Sequence, residues 1–502
     1  LPDLAPSRQG QFDGDGTVVA LRRLATPHLV RLLGDWRGGG VAYPALAAAL
    51  RGLVVEGRLP PYTRLPSERE LAIALNVSRN TVTAALDVLR QQRYLASRRG
   101  RGSWVTSPPL PEDRPDELKR PRGDMIDLTL ANLPAPPELA ELAAMAAERL
   151  AQELGGHGYE PFGLPAVRAA VASYLNDRGL ATVPAQVLVT QGALHAWDLA
   201  LRTFARPGDR VLLETPTYPG ALDAVLAHGC IPVGVPVGDE GWDMPLLSAA
   251  LRDARPVLGY LIPDFQNPTG FWASGPQRAA VARAARAAGM LLVSDESLAE
   301  LVLEPHDPRQ PNHPPPSLAA GDPGSGVLAV GSLSKPVWGG LRIGWLRGEP
   351  QLVRRLALAR AGQDVGSPIL DQLMAVEVLR RFDTLLPARR QWLRERRDAL
   401  LDALADERPG WRVGRPAGGM ALWLELPGAT SASALAARAV AHGVRVAPGP
   451  RFGVDGGFEQ RLRLPFTQPP ERLADAVRRL AAAERALGSR SPAGSPDARW
   501  VA

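Results

Sequence analysis

The sequence predicts two folded domains: a small N-terminal helical domain with a β-hairpin, and a much larger α/β domain. Two observations support this division. The excess positive charge of the 502-residue chain is concentrated near the N-terminus, and most of the remainder alternates apolar strands with amphipathic helices. A third observation concerns lysine, because only Lys119 and Lys335 are lysines among 58 basic residues. Because arginine is the usual basic residue of this chain, a position that needs only a positive charge would be expected to hold arginine, and each lysine is therefore informative.

Composition excludes several classes of protein. Hydrophobic residues make up 45% of the chain and charged residues 22%, which is typical of a globular protein with more than one domain. A single cysteine, Cys230, excludes an internal disulfide framework and a cysteine-rich metal site. The sequence has no signal-peptide pattern and no apolar stretch long enough to cross a bilayer. We therefore expect a cytoplasmic protein that binds neither a membrane nor a metal.

The net charge of +6 lies entirely in residues 41–108, which contain ten arginines and four acidic residues. The other 434 residues carry equal numbers of basic and acidic side chains. A charge excess confined to one short segment is expected of a surface that contacts a polyanion such as nucleic acid.

The basic segment has the pattern of a helix-turn-helix. Apolar residues at helical spacing predict a first helix over 44–56. Ser67, with a glutamate three residues later, predicts a capped second helix over 67–75, and Ser78 caps a third helix. The third helix begins with polar side chains that could contact base edges and phosphates in a major groove.

A wing is predicted after the third helix, with strands at 94–97 and 103–106 and an Arg-Gly-rich tip that could contact phosphates and the minor groove. The motifs Leu65-Pro-Ser-Glu-Arg-Glu-Leu-Ala72 and Val77-Ser-Arg-Asn-Thr-Val82 resemble the winged helix of the GntR family of bacterial repressors. The pattern and the resemblance together imply DNA contacts at Arg64, Ser67, Arg69, Ser78, Arg79, Asn80, Thr81, Thr83, Arg98, Arg99, Gly100 and Arg101. The alternative is a helical hairpin used only for protein contacts.

The domain boundaries follow from composition. Residues 41–106 form the winged helix, and residues 1–40 are an N-terminal extension, either partly helical or disordered. Residues 107–123, rich in proline and charge, are predicted to be a linker, and residues 489–502 a flexible tail.

Between 124 and 488 the sequence predicts a mainly parallel sheet. Apolar strands at 187–190, 210–213, 257–262, 290–294 and 327–330 alternate with helices. Ligands of such sheets bind at the carboxyl ends of the strands, and polar or glycine-rich motifs occur there in this chain. A proline-rich stretch at 305–326 is predicted to be a surface loop.

Lys335 lies in Gly331-Ser-Leu-Ser-Lys335, and Arg342 follows seven residues later. An amine among small hydroxyl residues, with an arginine nearby, suits a carbonyl cofactor that carries a phosphate, and pyridoxal 5′-phosphate fits this description. Schiff-base formation requires that the amine lose its proton, which burial or a nearby cation favours.

Three further motifs suit the same cofactor, although each has a structural alternative. Asp295 ends a strand and could pair with the pyridine nitrogen, or it could cap a helix. Asn267 could donate to the ring hydroxyl, or it could form an ordinary Asn-Pro turn. Gly192 opens a helix, whose first N–H groups bind phosphate well.

The order of these motifs resembles that of fold-type I pyridoxal-phosphate enzymes of the aspartate aminotransferase superfamily, over residues 125–488. The resemblance implies that Lys335 forms the internal aldimine, that Asp295 and Asn267 hold the ring, and that Tyr218 stacks on it. It implies that Arg463 binds the effector carboxylate, with a structural salt bridge as the alternative, and that Tyr159 contacts the neighbouring subunit's phosphate. The residues that it implies for the phosphate site are Gly192, Ala193, Leu194, Ser332, Ser334 and Arg342.

The sequence departs from these enzymes at one position. They usually carry a tyrosine two or three residues after the pyridine aspartate, where this chain has Ser297 and Leu298. Cofactor binding is still expected, but net turnover is not.

A GntR-like winged helix joined to an aminotransferase-like domain resembles the MocR subfamily of bacterial transcriptional regulators. This resemblance implies a homodimer, arranged head to tail, that binds double-stranded operator DNA. The expected effector is pyridoxal phosphate itself or an amine or amino acid, and the expected targets are vitamin B6 or amine metabolism genes. The alternative is an active aminotransferase with an accessory DNA-binding head.

Overall fold

The computed structural model describes residues 11–12, 18–19, 22–34, 36, 42–55, 59, 63–91, 94–98, 102–105, 124–305, 314–321, 326–428 and 430–488. They belong to two compact units, one within residues 1–123 and the other within 124–502. None of the described helices is both long enough and apolar enough to span a bilayer.

The N-terminal unit combines four helices with short strands in its described part. Its elements are β1 (Gln11–Phe12), β2 (Val18–Val19), β3 (Arg22–Arg23), α1 (Thr26–Leu33), α2 (Ala42–Val55), β4 (Thr63–Arg64), α3 (Glu68–Ala74), α4 (Arg79–Gln91), β5 (Leu95–Arg98) and β6 (Gly102–Val105). Strands β3, β4, β6 and β5 form a sheet in that order, and β5 pairs with β6 as an antiparallel hairpin. The predicted winged helix is therefore present.

Local hydrogen bonds explain where the two central helices begin. The Ser67 hydroxyl accepts from the Glu70 N–H at 3.3 Å, and the Glu70 carboxylate accepts from the Ser67 N–H at 2.8 Å, so the predicted capping box closes. The Ser78 hydroxyl likewise accepts from the Thr81 N–H at 3.0 Å at the start of α4.

The core of this unit extends beyond the segment that the sequence assigns to the winged helix. Val82 and Leu86 of α4 are fully buried, as the apolar spacing predicts. They belong to one apolar cluster with Leu29 and Leu33 of α1, which lies within the predicted N-terminal extension. Helix α1 therefore stabilises the helix-turn-helix by burying its apolar side.

The C-terminal unit contains the remaining elements. They are β7 (Ile126–Leu128), α5 (Leu139–Leu150), α6 (Pro165–Asp177), β8 (Val187–Thr190), α7 (Ala193–Phe204), β9 (Arg210–Thr215), α8 (Pro219–Ala227), β10 (Ile231–Gly238), β11 (Gly241–Trp242), α9 (Met244–Ala254), β12 (Leu258–Leu261), α10 (Gly275–Ala287), β13 (Leu291–Asp295), β14 (Val327–Ser332), β15 (Gly344–Arg347), α11 (Pro350–Arg360), α12 (Ile369–Leu379), α13 (Phe382–Glu407), β16 (Arg412–Val413), β17 (Ala421–Glu425), α14 (Ala432–Ala441), β18 (Val444–Pro448), β19 (Arg461–Pro465) and α15 (Pro470–Gly488).

The larger sheet contains all five strands predicted from the sequence. Its order is β11-β10-β9-β12-β13-β14-β15-β8. Neighbours from β10 to β14 run parallel, whereas β15 is antiparallel to both β14 and β8. The carboxyl ends of β8, β13 and β14 therefore lie at one edge of the sheet, which brings together motifs distant in the sequence.

A second, five-stranded sheet has the order β16-β17-β19-β18-β7. Strand β7, from the start of the unit, pairs in parallel with β18 near its end. This pairing places the loop that follows β7 beside the predicted site.

The prediction of a surface loop over 305–326 is wrong for its central part. Ser317, Leu318 and Ala319 are almost fully buried and lead into a short 3-10 helix, Leu318–Gly321. The Glu296 carboxylate accepts from the Ser317 hydroxyl and the Leu318 N–H, so the segment is held by a buried acid. The high proline content of the segment did not indicate that Glu296 would hold it in the core.

Candidate functional site: a cofactor cavity and a DNA-binding head

A cavity of about 910 Å³ opens at the carboxyl ends of the parallel strands. Eleven of the twelve residues predicted to hold the cofactor or the effector line it. They are Gly192, Ala193, Leu194, Tyr218, Asn267, Asp295, Ser332, Ser334, Lys335, Arg342 and Arg463. The structure thus collects around one space residues that are up to 271 positions apart in the sequence.

Lys335 lies in an environment that favours its neutral amine. Its Nζ donates to the Ala131 carbonyl at 2.9 Å and to Asn132 Oδ1 at 3.2 Å, both in the loop after β7. Burial, and to a smaller extent the nearby Arg463 guanidinium, lower the pKa of Lys335 to about 8. The sequence did not indicate Ala131 or Asn132, because the strand pairing that positions their loop is long-range.

The loop between β8 and α7 forms a cradle suited to an anion. Gly192 has φ of 92°, and α7 begins directly after it, which leaves the N–H groups of its first turn without partners inside the helix. Arg342 closes one side, with a guanidinium nitrogen 2.7 Å from the Gln191 carbonyl. A Cβ on Gly344 would approach the Gly192 Cα to 2.7 Å, so only glycine lets β15 lie this close to the cradle.

The serines before Lys335 add polar groups beside this cradle. The Ser332 hydroxyl accepts from the Ser334 N–H at 3.1 Å. The Ser334 hydroxyl is buried and has no hydrogen-bond partner within the described part of the chain. A buried hydroxyl without a partner is costly, and a bound phosphate oxygen would satisfy it. Helix N-terminus, arginine and hydroxyl together fit the phosphate group of the predicted cofactor.

Asp295 is held by two neighbours that fix its orientation. Its Oδ1 accepts from the Ser297 N–H at 2.9 Å and from the Ser297 hydroxyl at 2.5 Å, and its Oδ2 accepts from the Tyr260 hydroxyl at 2.5 Å. Ser297 occupies one of the two positions where a tyrosine was expected, and its hydroxyl points back to the carboxylate. Tyr260, on β12, was not indicated by the sequence.

Arg463 is a buried cation without a buried counter-charge. Only 6% of the residue is exposed, and no carboxylate in the described ranges forms an ion pair with it. It contacts the Thr129 carbonyl, donates to Asn267 Oδ1 at 3.3 Å and lies 5.1 Å from the centre of the Phe452 ring. Burial lowers the pKa of Arg463 to about 10. The alternative of a structural salt bridge therefore finds no partner among these residues, whereas an anionic ligand would compensate the charge.

Glu214 holds the turn that presents Asn267. Its buried carboxylate accepts from Trp242 Nε1 at 2.7 Å, from the Ile262 N–H at 3.0 Å and from Gln266 Nε2 at 2.9 Å. Gln266 immediately precedes Asn267, so this group ties the turn to the ends of β9 and β12. The sequence did not indicate Glu214, because a single acid at a strand end carries no distinctive pattern.

Tyr159 is the one predicted cofactor residue that does not line the cavity. It is 62% exposed, and its N–H donates to the His157 ring at 3.0 Å. Its contact with a neighbouring subunit stays a prediction.

In the N-terminal unit, several residues predicted to contact DNA are exposed. Ser67, Arg69, Ser78, Arg79 and Asn80 are exposed, at the starts of α3 and α4. Thr81 and Arg64 are partly buried. The Arg98 side chain and residues Arg99, Gly100 and Arg101 lie outside the described residues.

Thr83 is partly buried and has an internal role. Its hydroxyl donates to the Glu68 carboxylate at 2.9 Å and to the Arg79 carbonyl at 3.0 Å. The same carboxylate accepts from Arg90 at 3.2 Å, and Arg90 also donates to the Ser103 hydroxyl at 2.9 Å. Glu68 therefore links α3, α4 and the wing strand β6, which the sequence did not reveal.

Family comparisons agree with this architecture. Residues 42–105 match the bacterial regulatory proteins of the gntR family, and residues 124–480 match class I and II aminotransferases. The chain therefore belongs to the class I and II aminotransferase family and carries a GntR-type DNA-binding domain, the combination of the MocR-type regulators. The match confirms the predicted fold class and the predicted cofactor, pyridoxal 5′-phosphate.

Similar proteins include both enzymes and regulators. The chain is 38% identical to a 2-aminoadipate transaminase of Thermus thermophilus, over 71% of this chain and 89% of the relative. It is 30% identical to the HTH-type transcriptional regulator TauR of Rhodobacter capsulatus, over 88% of this chain and 97% of the relative. Among solved structures, the α-aminoadipate aminotransferase LysN of Thermus thermophilus is similar with a TM-score of 0.65 and 36% identity, covering 73% of this chain and 93% of LysN.

Proposed function

We propose that the protein is a bacterial transcriptional regulator that acts as a homodimer. It acts in the cytoplasm, the compartment that contains bacterial DNA. Its winged helix binds the operator, and the cavity around Lys335 holds pyridoxal phosphate and receives an effector. The observation that carries the proposal is the pairing, in one chain, of a GntR-type head with a cavity that contains a partly buried lysine of lowered pKa.

Each part of the cavity has a role in this proposal. The cofactor, when bound, supplies an aldehyde that amines attack and a ring that withdraws electrons. Lys335, whose lowered pKa favours loss of its proton, would be the covalent anchor of the cofactor, and Asp295, oriented by Tyr260 and Ser297, would pair with the ring nitrogen. Arg342 and the start of α7 hold the phosphate, and Arg463 receives the carboxylate of an amino-acid effector.

Two signals are compatible with this site. If pyridoxal phosphate itself is the signal, vitamin B6 genes are the expected targets. If an amine or amino acid adds to the bound cofactor, genes of amine metabolism are expected instead. In either case the ligand regulates only if it binds two arrangements of the protein with different affinity.

The first test is the absorbance spectrum of the purified protein with pyridoxal phosphate. We expect a Schiff-base band that is absent in Lys335→Ala and retained in Lys119→Ala, which removes the only other lysine. Retention of the band in Lys335→Ala would refute the anchor, and absence of the band in the wild type would refute covalent cofactor binding.

A second candidate is an active aminotransferase with an accessory DNA-binding head. The 38% identity to the Thermus transaminase favours it. The missing tyrosine argues against an active aminotransferase, because Ser297 stands at one of its two expected positions and donates its hydroxyl hydrogen to Asp295. Steady turnover of 2-aminoadipate with a 2-oxo acid acceptor would support the enzyme, whereas a single half-reaction without cycling would support the regulator.

A further inference from the structure

An ion pair to which the proposed function gives no role contacts the residues that lead into the cradle between β8 and α7. It joins Arg360, the last residue of α11, to Asp364. The Arg360 side chain, which is fully buried, donates from Nε to Asp364 Oδ1 at 2.5 Å and from Nη2 to Asp364 Oδ2 at 3.1 Å, so the pair is bidentate. Burial acts to raise the pKa of Asp364, but the hydrogen bonds from Arg360 outweigh burial and lower that pKa, so the group is a carboxylate at neutral pH.

The ion pair contacts the chain at two points just before Gly192, the residue at which the cradle begins. Arg360 Nη1 donates to the carbonyl of Val189, in β8, at 2.5 Å. Gln191 directly precedes Gly192, and its Nε2 donates to Asp364 Oδ2 at 2.7 Å. The buried guanidinium and its carboxylate therefore hold both the end of the strand and the side chain of the residue that leads into the cradle.

Gln191 is held by its backbone as well as by its side chain. Its N–H donates to His195 Nδ1 at 3.0 Å, and its carbonyl accepts from Arg342 Nη2 at 2.7 Å. Because a backbone N–H can only donate, His195 Nδ1 carries no proton in this arrangement. Burial, and to a smaller extent Arg360, lower the pKa of His195, which favours the neutral ring that this bond requires. Gln191 thus connects Asp364 to Arg342, the arginine that closes one side of the cradle.

We propose that Asp364 is a positioning residue for the cofactor phosphate, because it fixes, through the Gln191 side chain, the carbonyl to which Arg342 donates. This inference rests on the proposed function, in which Arg342 and the start of α7 hold the phosphate. Asp364 is not among the residues that line the cavity, so it acts through Gln191 and Arg342 rather than by contact. Its negative charge, taken alone, repels a phosphate. Removal of Asp364 should therefore strengthen phosphate binding if charge matters most, and weaken it if position matters most.

The test is calorimetric titration of the full-length apo protein with pyridoxal phosphate and with pyridoxal, which lacks the phosphate. In Asp364→Ala we expect pyridoxal phosphate to bind about tenfold more weakly, the effect of losing one charge-assisted hydrogen bond, and pyridoxal to bind as it does to the wild type. Gln191→Leu should show the same selective loss, and the double variant should add little to it, because both changes break one connection. Asp364→Asn keeps an oxygen that can accept from Gln191 and should restore part of the affinity.

Asp198→Ala is the matched control, because it removes an acid of α7 that is bonded to Arg202 and His228 instead. It should leave both affinities unchanged. Unchanged or tighter binding of pyridoxal phosphate in Asp364→Ala would overturn the inference, and so would an equal loss of affinity for pyridoxal, which a purely structural role predicts. Either result leaves the proposed function standing, whereas a wild-type protein that does not bind pyridoxal phosphate would overturn that function as well.

Discussion

At the scale of single residues, Lys335 is the only lysine in the described part of the chain, and it lies where the proposed chemistry needs an amine. The described residues of the N-terminal head contain arginine but no lysine, because forked donors suit phosphates and base edges. Imine chemistry requires a primary amine that can lose its proton, and Lys335 provides it at the edge of the parallel sheet.

The rate at which the apo protein takes up pyridoxal phosphate should rise about tenfold between pH 7 and pH 9 and then level off. With a Lys335 pKa of about 8, roughly one-tenth of the amine is neutral at pH 7 and roughly nine-tenths at pH 9. Stopped-flow absorbance measures this rate. Arg463→Gln should move the profile to higher pH, because Arg463 lowers the pKa of Lys335. A pH-independent rate would contradict the assignment.

At the scale of elements, Glu68 is an acid on a surface predicted to contact a polyanion. Its carboxylate accepts from Thr83 and Arg90, and Arg90 reaches Ser103 on β6. A negative charge near DNA weakens binding, but the hydrogen bonds of Glu68 hold α3, α4 and the wing in one orientation. We expect this orienting effect to outweigh the repulsion. If Glu68 mainly orients the head, its removal should weaken operator binding, whereas if its charge matters most, its removal should strengthen operator binding.

Glu68→Ala should weaken operator binding about fivefold, as the loss of roughly 1 kcal/mol of orienting hydrogen bonds implies. Simple charge removal would instead tighten binding, since the head becomes more positive. Fluorescence anisotropy over a salt series separates the two explanations, with Glu141→Ala, in the other unit, as a control of equal charge change. Binding that does not depend on salt, in any variant, would instead support a head that contacts only proteins.

The elements themselves were largely predictable, and the contacts between them were not. Periodicity and capping residues located α2, α3, α4 and the five parallel strands, because these signals are local in the sequence. The small sheet was missed, since β7 and β18 are more than 300 residues apart. Eleven residues that line the cavity could be named from motifs. Tyr260 and Asn132 could not, because tertiary packing alone brings them to Asp295 and Lys335.

At the scale of the whole molecule, the proposed regulator requires that the cavity and the head be linked in free energy. Such linkage is reciprocal: a ligand that changes operator affinity by some factor must itself bind more tightly or more weakly, by the same factor, when the operator is present. This requirement holds whatever the route of communication, so it can be tested without knowledge of how the two units move.

We expect pyridoxal phosphate to change operator affinity by about five- to 150-fold, the usual range of coupling, and the operator to change cofactor affinity by the same factor. Anisotropy with labelled DNA measures the first factor, and equilibrium titration of the cofactor band with and without DNA measures the second. Lys335→Ala should remove both effects while leaving apo DNA binding unchanged, because the residue lies in the C-terminal unit.

If both factors equal one for the cofactor alone and depart from one only when an amino acid is present, then the amino acid is the signal and Arg463 is the residue that receives it. If they equal one under all conditions, the aminotransferase-like domain does not regulate the head, and the enzymatic alternative becomes the better account of its cavity.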